Sequence, residues 1–146
     1  MRLTTKMRYG TRAMVELAQS YAQGPISLAT IAQRQDLSEK YLEALLGLLR
    51  AAGLVRTLRG AQGGYRLTAP PERISLRRIF DALEGPEAYA PCIRDPGICK
   101  RLGGCVTQEV WARMYRASME VLASTTLADL TAGAETPAPA VDLYHI

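Results

Sequence analysis

The sequence predicts a mainly α-helical chain with one small β-hairpin, ordered as a winged helix-turn-helix followed by a long helix suited to dimerisation. Three observations predict it. Apolar residues recur at helical spacing in three successive segments that end near Leu49. The period then drops to two over Leu54–Leu58 and Tyr65–Leu67, on either side of a glycine-rich tip. A later helical pattern over residues 106–123 carries two apolar stripes side by side, more than a small domain needs.

The elements follow in order. Gly10, Met14, Leu17, Ala18 and Tyr21 share one face of a first helix over residues 5–22, which Gly24-Pro25 stops. Ser27 caps a short second helix that turns Leu28, Ile31 and Ala32 inward. After the tight connection Gln35-Asp36-Leu37, Ser38 caps a third helix, and Glu39 suits its N-terminal dipole. Leu42, Leu45, Leu46 and Leu49 line the inner face of that helix, and Gly53 follows its C-terminus. Between the two strands lies Arg59-Gly-Ala-Gln-Gly63-Gly64, a hairpin tip with one arginine at its base. Ser75 opens a fourth helix, with Ile74 and Ile79 as a hydrophobic staple, and Glu84-Gly85-Pro86 ends it.

Residues 86–105 read as a long loop holding all three cysteines. In the helix after it, Val110, Met114, Ala117 and Val121 form one stripe and Trp111, Tyr115 and Leu122 the other. That double face predicts a homodimer seam, with deep burial in the chain's own core as the alternative. Thr126-Leu-Ala-Asp129 reads as a short capped helix. The small residues from Thr131 to Ala140 read as a mobile linker, before an apolar close at Val141–Ile146. The organisation expected is a DNA-binding unit at 1–85, a cysteine loop at 86–105, the dimerisation and short helices at 106–130, and a flexible tail at 131–146.

Composition narrows the class. The chain has 146 residues, 48% hydrophobic and 22% charged, with a formal net charge of +4, which is average for one globular domain. No apolar run approaches the roughly 20 residues that span a bilayer, and the first residues lack a signal-peptide core, so no membrane partner is expected. Three cysteines on such a chain argue against a disulfide framework and for the cytoplasm. Charge is uneven: residues 1–80 hold 13 Lys and Arg against 5 acids, whereas 81–146 hold 5 against 9. Of the 18 cations 15 are arginine, whose fork binds phosphate oxygens in pairs. A polyanion partner explains this pattern, and so does an arginine-favouring genome.

Two groups of residues carry chemistry. In a helix-turn-helix the second helix of the pair enters the major groove, so the helix from Ser38 would present Ser38, Lys40, Tyr41 and Glu43 to double-stranded DNA. Phosphates repel Glu43 unless it accepts a bond from cytosine N4, which makes it a candidate for sequence discrimination or a merely solvated residue. Arg59 suits a narrow minor groove, while Gly63 and its neighbours allow the turn and a close backbone approach. Lys6, Arg50 and Arg56 are candidates for phosphate contacts that position without specifying.

The second group is Cys92-x6-Cys99-x5-Cys105, beside Arg94, Lys100 and Arg101. Cationic surroundings favour thiolates, which suits an iron–sulfur cluster. The spacing departs from the Cys-x2-Cys pairs of structural zinc sites. Zinc, directly oxidised sensor thiols and no function at all stay open beside the cluster. An enzyme is not expected: a thiol catalyst needs a nearby base, and the sole histidine is His145 on the tail.

Taken together, Thr5-Lys-Met-Arg-Tyr-Gly10, Leu37-Ser-Glu-Lys-Tyr-Leu-Glu43, Leu49-Arg-Ala-Ala-Gly-Leu-Val55 and Arg59-Gly-Ala-Gln-Gly-Gly-Tyr65 resemble the Rrf2 family of bacterial transcription regulators, over about residues 1–130. The resemblance implies a homodimeric winged helix-turn-helix protein that binds a DNA operator. It also implies that Cys92, Cys99 and Cys105 ligate a [2Fe-2S] or [4Fe-4S] cluster, that Glu43 reads bases and that Arg59 serves the wing.

The chain departs from the family pattern at the fourth ligand. Gln108 stands where the cluster-assembly regulators of the family have histidine, and Arg8 where the nitric-oxide sensors have aspartate. His145, Gln108, Glu109, Asp95 or a non-protein ligand stay open for that place. The family's cysteine-metabolism branch lacks the cysteine triad. It nonetheless shares Leu83–Pro86, Ser124–Leu127 and an aromatic closing tail with this chain. That likeness keeps a cluster-free repressor of sulfur metabolism, gated by thiol oxidation or by a cysteine-biosynthesis enzyme as partner, as the alternative.

Overall fold

A computed structural model describes residues 3–85, 91–101 and 103–134. The order is α1 (Thr5–Gln19), α2 (Leu28–Gln35), α3 (Glu39–Ala51), β1 (Val55–Leu58), β2 (Gly64–Leu67), α4 (Leu76–Glu84), α5 (Pro91–Arg94), α6 (Gln108–Ser124) and α7 (Leu127–Ala134), with one-turn 3-10 segments at Pro71–Arg73 and Pro96–Ile98. No helix among the described residues is long and apolar enough to cross a membrane.

Serines set the helix starts. Ser27 accepts from the Thr30 N–H at 3.1 Å and Ser38 from the Tyr41 N–H at 3.3 Å, each relieving one of the donors a helix start leaves unpaired. Thr4 does the same for α1 by accepting from Met7. Ser75 stands at the start of α4 but makes no side-chain cap bond. Ile74 and Ile79 are both fully buried around that start, as a staple requires.

One apolar cluster serves the whole chain. α1 lies at its centre, against α2, α3, α4, α7 and β2. Leu42, Leu45, Leu46 and Leu49 of α3 are at most 2% exposed, and Met14, Leu17, Ile31, Leu54, Leu67 and Leu83 join them. Gly10 lets α1 approach α4, since a Cβ there would run into the Leu83 side chain. The hairpin pairs Val55 with Leu67, Arg56 with Arg66, Thr57 with Tyr65 and Leu58 with Gly64. Ile26 adds a single bridge on the far side of β2, exchanging both backbone bonds with Tyr65 at 2.7 and 3.0 Å.

The C-terminal helices are tied to the same body. Leu76 N–H donates to Thr125 at 2.8 Å and Leu127 N–H to Ile74 at 2.9 Å, so the α6–α7 corner is stitched to the start of α4. Met119, Leu122 and Leu127 enter the common core.

The structure differs from the sequence reading at several edges. α1 ends at Gln19 rather than at 22, α6 starts at Gln108 rather than at 106, and residues 91–98 contain two short helical turns instead of plain loop. α7 runs on to Ala134, so residues 131–134 are helix and not tail. Thr126 and Asp129 explain its persistence: each side chain bonds the other's backbone N–H, a reciprocal cap that starts a full helix. The remaining tail, 135–146 with His145, lies outside the described residues, as do 86–90 and Leu102.

Gly64 holds the hairpin against Ile26. Its φ is +153°, and a Cβ would overlap the Ile26 carbonyl. Gly64→Ala is expected to cost at least about 2 kcal/mol, as lost denaturant midpoint, because neither backbone can yield without breaking the Ile26–Tyr65 bridge. An unchanged midpoint would contradict this packing.

Candidate nucleic-acid interface and thiol loop

The turn between α2 and α3 is built to throw one helix face outward. α2 ends at Asp36 in the left-handed region (φ +52°), a conformation that Asp tolerates better than most residues. Leu37 N–H then returns to Ala32 at 3.0 Å, and Ser38 starts α3. With Leu42, Leu45, Leu46 and Leu49 facing inward, α3 leaves Ser38, Glu39, Lys40, Glu43, Ala44, Leu48 and Arg50 exposed. Tyr41 is half-buried, edge-on to Tyr9 at 6.2 Å between ring centroids. Lys6 is half-buried near the start of α1.

Sequence reading missed the clasp behind this helix pair. Arg12 lies 5.3 Å over the Tyr9 ring and donates to the Gln35 side chain and carbonyl at 2.8 and 2.9 Å. Gln35 in turn donates to Glu16 at 2.9 Å, and Arg34 pairs with Glu16 at 3.2 Å. α1 is thereby locked to the C-terminus of α2. The spacing of Arg12 and Glu16, one turn apart on a helix, was the available signal.

In the hairpin, Arg56 and Arg59 are exposed. Gly63 N–H bonds the Gly60 carbonyl at 2.9 Å, and a Cβ on Gly63 would strike the Leu58 carbonyl, so the tip tolerates no side chain there. Arg50, Arg56 and Arg59 follow one another from the last turn of α3 to the wing tip. The basic and base-reading candidates thus lie on α1, α3 and the hairpin, mostly exposed.

The three cysteines are free thiols, all half-buried, with Cys92 in α5, Cys99 just beyond the second 3-10 turn and Cys105 before α6. They share one segment, yet among the described residues no three His, Cys, Asp or Glu side chains converge as a metal-holding group. The candidate fourth ligands differ. Asp95 already accepts from the Gly97 N–H at 3.0 Å, Glu109 is paired with Arg116 at 2.9 Å, and Gln108 is half-buried at the start of α6. Cys105 stands out chemically. The Thr107 hydroxyl at 3.4 Å, then the N–H groups of Thr107 and Gln108, and last the Arg101 charge hold its thiol below the ordinary cysteine range, against a smaller opposing effect of burial. Donor chemistry therefore fits a thiolate ligand set, while the placement of the loop does not assemble one.

A helix-turn-helix followed by a glycine-tipped hairpin defines a winged-helix protein of the DNA-binding type. The model of the Rrf2 family, described as iron-dependent transcriptional regulators, matches residues 3–133. The transcriptional regulator CymR of Bacillus subtilis is 46% identical over 130 residues, 89% of each chain. The solved structure of that CymR, the global cysteine regulator of B. subtilis, aligns with TM-score 0.76 at 45% identity over 90% of this chain and 97% of its own. IscR of T. potens aligns with TM-score 0.77 at 42% identity, over 92% and 88%. The chain belongs to the Rrf2 family of transcriptional regulators.

The lowered Cys105 pKa has a chemical readout. As pH rises, Cys105 is expected to become thiolate below the ordinary cysteine range and to be alkylated by iodoacetamide near neutral pH. Thr107→Ala should move its alkylation profile upward in pH. A Cys105 alkylation profile unchanged in Thr107→Ala, by peptide mass spectrometry, would contradict the assigned cause.

Proposed function

We propose that the chain is a homodimeric transcription regulator whose affinity for a double-stranded operator is controlled at the loop of Cys92, Cys99 and Cys105. The observation that carries this reading is the position of the thiols. All three lie in the stretch leading into α6, and α5 packs on α6. The outer face of α6 bears Val110, Trp111, Met114 and Val121, between 42 and 63% exposed. Such a stripe suits a second copy of the chain. Ser38, Lys40, Tyr41 and Glu43 would meet base edges, Arg59 the minor groove, and Lys6, Arg50 and Arg56 phosphates.

A change in the loop would tilt α6, and with it the separation of two reading helices that must match half-sites on one duplex. The primary occupant proposed is an iron–sulfur cluster held by the three thiolates. When bound, it supplies a centre that responds to electron transfer and to loss of iron. The second reading is a cluster-free cysteine regulator gated by thiol oxidation or an enzyme partner. The separated thiols, the lowered pKa of Cys105 and the likeness to CymR favour it.

Anaerobic purification with iron and sulfide quantitation separates the two. The primary reading expects a coloured protein with stoichiometric iron and sulfide, and Cys92, Cys99 and Cys105→Ala should abolish colour and change operator affinity by about tenfold or more, a coupling of roughly 1.4 kcal/mol. A protein with neither iron nor sulfide after anaerobic reconstitution overturns it. Operator affinity that then falls on mild oxidation supports the thiol reading.

A further inference from the structure

The outer face of the wing pairs two arginines. Arg56 and Arg66 are direct cross-strand partners, on the side of the hairpin opposite the core-facing Val55 and Leu67. Like charges at such positions, with Cβ atoms about 5 Å apart, repel and destabilise a two-stranded ribbon unless an anion lies between them. The neighbouring stretches bring no acid to them: residues 20–27 and 55–67 contain no Asp or Glu. Neither arginine forms an ion pair among the described residues.

Arg66 is moreover held in place. Its guanidinium lies 5.4 Å over the Tyr21 ring, beyond the end of α1. Its Nε is the one buried side-chain nitrogen or oxygen among the described residues that has no hydrogen-bond partner. A half-buried cation oriented by an aromatic face, with no hydrogen bond from its terminal nitrogens among the described residues, is poised to bind rather than to support the fold. The bridge from Ile26 to Tyr65 fixes β2 on its other edge, so the strand cannot rotate Arg66 away.

We infer that Arg56 and Arg66, the latter oriented by Tyr21, form a clamp for one phosphate of the DNA backbone on the outer face of the wing. The clamp would bind two phosphate oxygens from two guanidinium forks and carry no sequence information. It sets the depth at which Arg59 at the tip can reach. The inference rests on the DNA-binding reading above.

Fluorescence anisotropy tests it, with a duplex enriched from a random pool and a scrambled duplex, each titrated between about 50 and 200 mM KCl. Arg66→Gln should weaken both duplexes by the same factor, on the order of three- to tenfold, and lower the slope of log affinity against log salt by about 1. Arg56→Gln combined with it should weaken binding further but leave the slope about 1 below wild type, because the pair serves a single phosphate, whereas Arg66→Lys should retain the wild-type slope. An unchanged slope for Arg66→Gln overturns the clamp. That includes the case in which only its melting temperature falls, which would mark Arg66 as a packing residue. If Arg59→Ala still weakens binding in that case, the winged-helix reading survives alone. A wild-type chain that binds neither duplex removes both.

Discussion

The dry seam under α3 is the constraint on which the rest depends. Leu42, Leu45, Leu46 and Leu49 are sealed against α1 and α2, and each such side chain contributes roughly 1.5–3 kcal/mol by leaving water. With that face committed, the opposite face of α3 can rotate neither inward nor sideways. A short turn then carries the chain into β1, so the seam also fixes where the hairpin leaves the body. The Arg12–Gln35–Glu16–Arg34 clasp adds a polar latch behind it, although its exposed ion pair adds little to stability by itself. Rigidity on one side and polar exposure on the other are what a reading surface needs.

The C-terminal helices are coupled to this unit through backbone bonds rather than through a loose hinge. The Leu76–Thr125 and Ile74–Leu127 bonds lock the α6–α7 corner onto α4, and α4 packs on α1. A displacement of α6 therefore has a covalent and hydrogen-bonded route to the winged helix. The N-terminal half of α6, where Val110, Trp111 and Met114 are exposed, is also the half next to the cysteines. Chemistry at the thiols and packing against a second copy would compete for one stretch of helix.

Much of this was legible in the sequence, for definite reasons. Ser27 and Ser38 announce helix starts because few residues cap as well, and the leucine spacing of α3 left no other face to bury. Gly63 and Gly64 marked the wing tip because no side chain fits against the Leu58 and Ile26 carbonyls. Other features depend on contacts distant in the chain. The pairing of Ser75 with Thr126, the clasp on Gln35 and the seat of Arg66 on Tyr21 leave no local pattern. α7 was read too short because Thr131–Ala134 is small-residue chain whose helicity is set by the Thr126–Asp129 cap and by packing on α1. On α6 the periodicity located both stripes. It could not say that Leu122, with Met119, faces the core while Val110, Met114 and Val121 face out. Cysteine spacing names candidate donors but says nothing of their arrangement, since convergence of thiols is a property of loop geometry.

The central claim is that two copies of this chain read one duplex through α3 and the wing. In vitro selection from a random double-stranded pool tests it most directly, because it assumes no operator. The account predicts an enriched site with dyad symmetry, its half-sites set apart by about one helical turn or a multiple of it. A single asymmetric site, or no enrichment above the starting pool, would contradict it.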